Sequence, residues 1–135
     1  MRGLSIDTAR EWWRTTLERA NPRAIVLIAR DDLGIVGSVQ LHPAWAPNQP
    51  HRADVAKLIV HRRARRQGVG RALVAAIEAH ARAAGFTLLT LDTVRGDAAE
   101  RLYSAAGWHR VGAIPDYALD PDGTPCDTVI FYKKV

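Results

Sequence analysis

Hydrophobic positions change period along the chain, and each change marks an element. From Ile6 to about Ala20, residues Ala9, Trp12, Trp13, Leu17 and Ala20 recur at helical spacing; Asp7 suits the N-cap, and Asn21-Pro22 ends the run. Ala24 to Ala29 is a short apolar run too brief for a helix. Asp31-Asp32-Leu33-Gly34 then makes a turn and Ile35 to Leu41 returns, which predicts a hairpin. Pro43, Pro47 and Pro50 place a loop over His42 to Arg52, and Ala53 to Val60 is the next strand. Leu73, Ile77, Ala81 and Ala84 line one face of a helix over Gly70 to Ala84, with Gly85 as its C-terminal cap. Phe86 to Thr93 is a strand, and Asp97 to Ala106 a short helix ending at Gly107. Trp108 to Ile114 and Thr128 to Lys133 are the closing strands, separated by a turn-rich Pro115 to Pro125 segment. The order α-β-β-β-α-β-α-β-β predicts a mixed sheet with helices, of the α/β or α+β class.

Composition narrows this to one domain spanning residues 1–135. With 135 residues and 47% hydrophobic positions, the chain can bury a core without metal or disulfide staples. Cys126 is the single cysteine, so an internal disulfide and a cysteine-only zinc site are both excluded. No apolar run approaches a membrane span, and Met1-Arg2-Gly3-Leu4-Ser5 is unlike a secretory signal, so a cytoplasmic location is expected.

Charge changes the picture more. The chain holds 19 Lys and Arg against 14 Asp and Glu, a net charge of +5. No acid lies between Asp54 and Glu78, where Arg62, Arg63, Arg65, Arg66 and Arg71 all fall; setting those five aside leaves bases and acids equal. The cluster surrounds Gln67-Gly68-Val69-Gly70, a glycine turn between a strand and a helix. Such a turn points backbone N–H groups outward at a helix start, which attracts phosphate. A nucleoside-triphosphate loop is excluded because no Gly-Lys-Ser/Thr follows, and a dinucleotide fingerprint lacks its third glycine. The five histidines (His42, His51, His61, His80, His109) show no zinc-ligand spacing, so no metal is expected. None of the three serines lies in Gly-x-Ser-x-Gly, and Cys126 reads as an incidental thiol.

Leu58-Ile59-Val60 followed by Arg65-x-x-Gly68-x-Gly70 resembles the acetyl-CoA motif of the GCN5-related N-acetyltransferases. Leu91-Asp92-Thr93, Ala99-Glu100-Arg101-Leu102-Tyr103 and Gly107-Trp108 follow at that family's spacing. Within it the chain is most similar to tabtoxin-resistance acetyltransferases. The shared pieces are Arg52-Ala53-Asp54-Val55-x-Lys57-Leu58, Val111-Gly112-x-Ile114-Pro115-x-Tyr117-Ala118 and Pro121-Asp122-Gly123.

The resemblance implies a mostly antiparallel sheet with splayed central strands and acetyl-CoA as cosubstrate. It implies that Leu58, Ile59 and Val60 hold the pantetheine. Arg65, Arg66, Gln67, Gly68, Val69, Gly70, Arg71 and Ala72 would hold the pyrophosphate, and Ala99, Leu102 and Tyr103 would complete the cofactor site. Tyr103 takes the general-acid position, with a backbone N–H near Ile59 for the oxyanion. Asp54 and Asp92 are the candidate bases, since burial in a strand could raise a carboxyl's pKa; the alternatives are that Asp92 bonds a turn and Asp54 pairs with Arg52 or Lys57. Val111 to Ala118 and the Trp45 loop are read as acceptor-pocket walls. Trp12 and Trp13 suit either pocket or core, with the core favoured.

Two departures stand out. Gly96 replaces an asparagine frequent in the family, and the stretch before Ala24 is short, as if a first strand and one helix were missing. An unpaired sheet edge there would favour a homodimer. The leading expectation is an N-acetyltransferase acting by direct attack on a small amine, such as an amino-acid-like antibiotic. The alternatives are an acyl-CoA-binding module without turnover and a nucleic-acid-binding domain using Arg62 to Arg71.

Overall fold

The computed structural model describes residues 5–135; Met1 to Leu4, part of the segment read above as unlike a secretory signal, lie outside the described residues. Helix α1 (Ile6–Glu18) precedes the hairpin β1 (Ile25–Asp31) and β2 (Gly34–Pro43), then β3 (Arg52–Val60). A short 3-10 turn (Arg62–Ala64) leads to α2 (Val69–Ala83), β4 (Leu88–Val94), α3 (Ala98–Ala105), β5 (His109–Leu119) and β6 (Pro125–Lys134). The six strands form one sheet in the order β1-β2-β3-β4-β6-β5. Every neighbouring pair is antiparallel except β3 and β4. The predicted mixed, mostly antiparallel sheet with helices is therefore the fold observed.

Alternating positions feed the core. Val39 and Leu41 of β2, Ala53 and Val55 of β3, Leu89 and Leu91 of β4, and Val129 and Phe131 of β6 are buried together. Leu73, Val74, Ile77 and Ala81 of α2 and Tyr103 of α3 pack into the same cluster. The spacing of those four α2 residues is the helical stripe seen in the sequence. Glu78, on the same helix, is a buried carboxylate: it accepts from Trp108 Nε1 at 2.8 Å and from Lys133 Nζ at 2.8 Å. Lys133 also donates to the Ala106 carbonyl at the C-cap of α3, at 2.7 Å. One buried carboxylate thus ties α2 to the end of α3 and to β6, with its charge and lone pairs matched.

Several features differ from expectation. The N-cap of α1 is Ser5, not Asp7: Ser5 is extended (φ −65°, ψ 154°) and its hydroxyl accepts from the Thr8 N–H at 3.1 Å. Asp7 falls in the first turn, where its charge suits the helix dipole instead. Strand β5 continues through Pro115 to Leu119, because it is an edge strand and Pro115 needs no ladder partner for the hydrogen it lacks. The register shifts between Ile114 and Ala118, where Asp116 adopts φ 52°. Finally, Trp12 and Trp13 are not core: α1 buries none of its residues, and Trp12 is 45% exposed. Among the described residues no helix is long and apolar enough to cross a membrane.

Candidate active site

β3 and β4 run parallel for only three residue pairs, Arg52↔Leu88, Ala53↔Leu89 and Asp54↔Thr90, and then separate. The cause lies in β3. Opposite β2, its register shifts between Ser38 and Gln40, whose partners are Ile59 and Ala56, and Lys57 at that bulge has φ 54°. A bulge bends a strand and leaves part of its ladder unpaired. Between the diverging strands lies a cleft of about 240 Å³, lined by Val55 to Leu58, Asp92 to Val94, Asp97, Ala99, Tyr103, Tyr117, Ala118 and Cys126 to Thr128.

The arginine-glycine turn sits at the start of α2. Arg66 (φ 59°) and Gly68 (φ 81°) both take the left-handed conformation, and Gly68 caps the helix without any side-chain hydrogen bond. The first hydrogen bond across the cap runs from Ala72 N–H to the Gly68 carbonyl at 2.9 Å. The N–H groups of Val69, Gly70 and Arg71 therefore have no intrahelical partner, which is the arrangement that receives an anion. Gly68 serves through its backbone conformation, since a Cβ there would meet nothing within 4 Å. Gly70 serves differently: a Cβ would come within 3.0 Å of Leu102 Cδ1, so this glycine lets α2 and α3 touch. Gly37 does the same for β2, where a Cβ would lie 2.9 Å from Leu73 Cδ1 and 3.2 Å from the Ile59 carbonyl.

The arginines divide. Arg63 is committed to Asp31 through contacts of 2.9 and 3.1 Å, which hold the Asp31 carboxyl below its usual value. Arg65 donates through Nε to the Val60 carbonyl at 3.2 Å, bracing the turn. Among the described residues Arg62, Arg65, Arg66 and Arg71 form no ion pair.

Tyr103 is 4% exposed and packs edge-on against Trp108, with ring centroids 5.6 Å apart. Among the described residues no group hydrogen-bonds its hydroxyl, and that oxygen is not sealed from solvent, so it opens on the cleft that Tyr103 lines. Burial, with a smaller contribution from the nearby Asp92 charge, pushes the phenol up to about 12. Asp92 lines the cleft but is exposed; it accepts from Thr128 Oγ1 at 3.2 Å. Asp54 does not line the cleft. Arg52 Nη1 donates to it at 2.5 Å and Thr90 Oγ1 donates to the same oxygen, so it fastens β3 to β4 where their pairing ends. The burial that made both aspartates candidate bases is absent for Asp92, while Asp54 follows the ion-pair alternative. Cys126 lines the cleft with its thiol pushed up, first by burial and then by Asp120, which disfavours a nucleophilic thiolate. Glu100 accepts from the Gly96 N–H at 2.8 Å and pairs with Arg110 at 3.3 Å, which holds its carboxyl low and pins the turn before α3.

Of the residues expected to hold a cofactor, Leu58, Ala99 and Tyr103 meet in the cleft, and Arg65 to Ala72 form the turn beyond it. Ile59, 51% exposed, and Val60 lie outside the cleft lining, and Leu102 packs on α2. Of the expected acceptor walls, Tyr117 and Ala118 take part, whereas Val111 to Asp116 do not and Trp45 is 91% exposed. Lys57, Asp97 and Cys126 to Thr128 were missed as cleft residues; only Lys57 carries a local signal, a charge inside an apolar strand. Among the described residues no group of three metal-ligating side chains occurs.

Residues 3–108 match the Acetyltransferase (GNAT) family. The chain belongs to that family. Solved structures agree on the fold. The ribosomal-protein-alanine N-acetyltransferase of Brucella melitensis superposes with TM-score 0.80 at 21% identity, covering 98% of this chain and 80% of its own. A GCN5-related N-acetyltransferase from Kribbella flavida gives TM-score 0.79 at 24% identity, covering 100% and 80%. The yncA protein of Salmonella typhimurium, solved with its cofactor acetyl-CoA, gives 0.79 at 17% identity, covering 98% and 75%. This chain is thus of the GNAT acetyltransferase type.

Proposed function

We propose that this chain is an N-acetyltransferase that transfers acetyl from acetyl-CoA to the amine of a small molecule by direct attack in a ternary complex. The observation that carries the reading is the presence of two built features at the two ends of one strand-to-helix connection: a cleft opened by the β3–β4 splay and lined by β3 up to Leu58, and unpartnered amides at the start of α2. The residues suit acetyl-CoA. A phosphate-bearing end fits the Val69, Gly70 and Arg71 amides with Arg62, Arg66 and Arg71 nearby, and an uncharged, amide-bearing arm fits the free edges of β3 and β4. Bound there, acetyl-CoA supplies an acyl group activated as a thioester.

Tyr103 holds a proton at its hydroxyl throughout the neutral range. A phenol near 12 beside a thiol near 8.5 makes full proton transfer uphill by about 5 kcal/mol. Its contribution is therefore hydrogen-bond donation to the charge that develops on the departing sulfur, with solvent completing the protonation. The acceptor's ammonium must lose a proton before it can attack, and Asp92, exposed at the cleft, orients that ammonium while water carries the proton away. The backbone N–H near Ile59 is the proposed oxyanion donor. The acceptor is an amino-acid-like amine; the pieces shared with tabtoxin-resistance acetyltransferases support an antibiotic or toxin of that kind.

The test is thiol release from acetyl-CoA across amino acids, β-lactam amino acids, aminoglycosides, polyamines and peptides. Release with one class establishes the activity and the acceptor together. CoA binding by calorimetry with no release from any amine means a binding module instead. Binding of oligonucleotides in preference to CoA returns the arginine cluster to nucleic acid.

A further inference from the structure

The cleft contains one cation that the cofactor does not need. Lys57 stands at the β3 bulge with φ 54°, a left-handed conformation that a non-glycine residue rarely adopts. It lines the cleft, forms no ion pair and no hydrogen bond through its ammonium among the described residues, and rests over the Trp12 ring at 5.4 Å. The phosphate-type amides lie at the other end, at α2, and a pantetheine arm is uncharged. The carboxylates of Asp92 and Asp97 line the same cleft without a cationic partner; Asp97 does not cap α3 with its side chain, and Asp92 accepts only the Thr128 hydroxyl. Asp127, also in the cleft, is already committed to Arg95 at 3.2 Å. The cleft thus offers one free cation and two free carboxylates.

We propose that Lys57 is a specificity-determining residue that binds a carboxylate on the acceptor while Asp92 and Asp97 receive its ammonium, so that the acceptors are zwitterions of the amino-acid type. This deepens the acetyltransferase reading and rests on it. Polyamines present only positive charge to Lys57 and are rejected. A peptide N-terminus lacks the carboxylate beside its amine and is disfavoured against the free amino acid. The Trp12 ring lies beneath the Lys57 ammonium and brings α1 to the rim of the cleft, which gives that largely exposed helix a task.

The experiment compares matched pairs that differ only in charge: free amino acids and their carboxamides as acceptors, and N-acetyl amino acids and N-acetyl carboxamides as product-side ligands measured by calorimetry in the presence of CoA. Wild type should favour the acids in kcat/KM and in affinity by about 10- to 100-fold, the worth of one charge-assisted hydrogen bond. Lys57→Met, which keeps the stem, should remove the preference with KM for acetyl-CoA unchanged, and Lys57→Arg should restore most of it. Equal treatment of acids and carboxamides by wild type, or a preference that survives Lys57→Met, overturns the proposal. Calorimetry needs no turnover: CoA binding without discrimination between the N-acetyl pairs defeats the role of Lys57 alone, whereas failure to bind CoA defeats the acetyltransferase reading.

Discussion

The turn at the start of α2 and the far end of the cleft are made of different material. The turn works through backbone: Gly68 in a left-handed conformation, three N–H groups without helical partners, and an arginine braced on a carbonyl. The far end works through side chains brought from β3, β4, α3, β5 and β6, and its charged members Lys57, Asp92 and Asp97 are exposed. Backbone geometry needs only a few adjacent residues and leaves little room for variation. A wall assembled from distant strands can change residue by residue without disturbing the fold. The proposed donor end is therefore the fixed part of the site and the proposed acceptor end the variable one.

The helix that carries the turn is open to the largest perturbation. Glu78→Ala removes the carboxylate shared by Trp108 and Lys133 and should cost about 3 kcal/mol, read as a lower urea midpoint and Tm. An unchanged midpoint would mean α2 is fastened to β6 and the end of α3 by other contacts. Next in size, Tyr103→Phe should lower kcat by about 100-fold with acetyl-CoA affinity preserved; equal kcat would remove the hydroxyl from the chemistry. The same residue carries a pH signature. Its phenol is raised to about 12, so in the folded chain it keeps a proton that the unfolded chain releases near 10. Stability is therefore undiminished below about 10 and falls as pH climbs through about 12. The tyrosinate absorbance component lost in Tyr103→Phe should appear well above the ordinary phenol range.

Gly68→Val tests the backbone end alone. Nothing crowds its Cβ, so the cost is the left-handed conformation, roughly 1–2 kcal/mol, and CoA affinity measured by calorimetry should drop about tenfold. Smallest of all is Trp45→Ala. Its ring is almost wholly exposed and away from the cleft, so stability should stay within about 0.5 kcal/mol and the acceptor profile should not move. A changed profile would put the Trp45 loop back into the acceptor wall.

The same division governs what was legible in the sequence. Helix α2, the strand before it and the glycine turn are local patterns, and each occurs within a residue or two of its expected place. The dual use of the two turn glycines was not legible, because Gly70 answers to Leu102, thirty-two residues on. Pro115 looked like a turn because a proline in a central strand would break the ladder; only the sheet order reveals that β5 is an edge. Asp54 and Asp92 alternate with apolar neighbours in a way that suggests burial, yet their exposure depends on which strands diverge beside them. Lys57 was visible as a residue but not as a site, since the bulge that turns it into the cleft is a property of the β2–β3 register.

Three residue pairs hold β3 to β4, and on either side of that seam the strands are antiparallel throughout. The sheet is therefore two half-sheets, β1-β2-β3 and β4-β6-β5, fastened at one end like the blades of shears, with Asp54 and its partners at the rivet. A ligand arm that pairs with both free edges would act as a staple across the blades. Amide hydrogen exchange should then slow together in Val55 to Val60 and in Leu91 to Val94 when CoA binds, so that the donor stiffens the platform on which the second substrate must land.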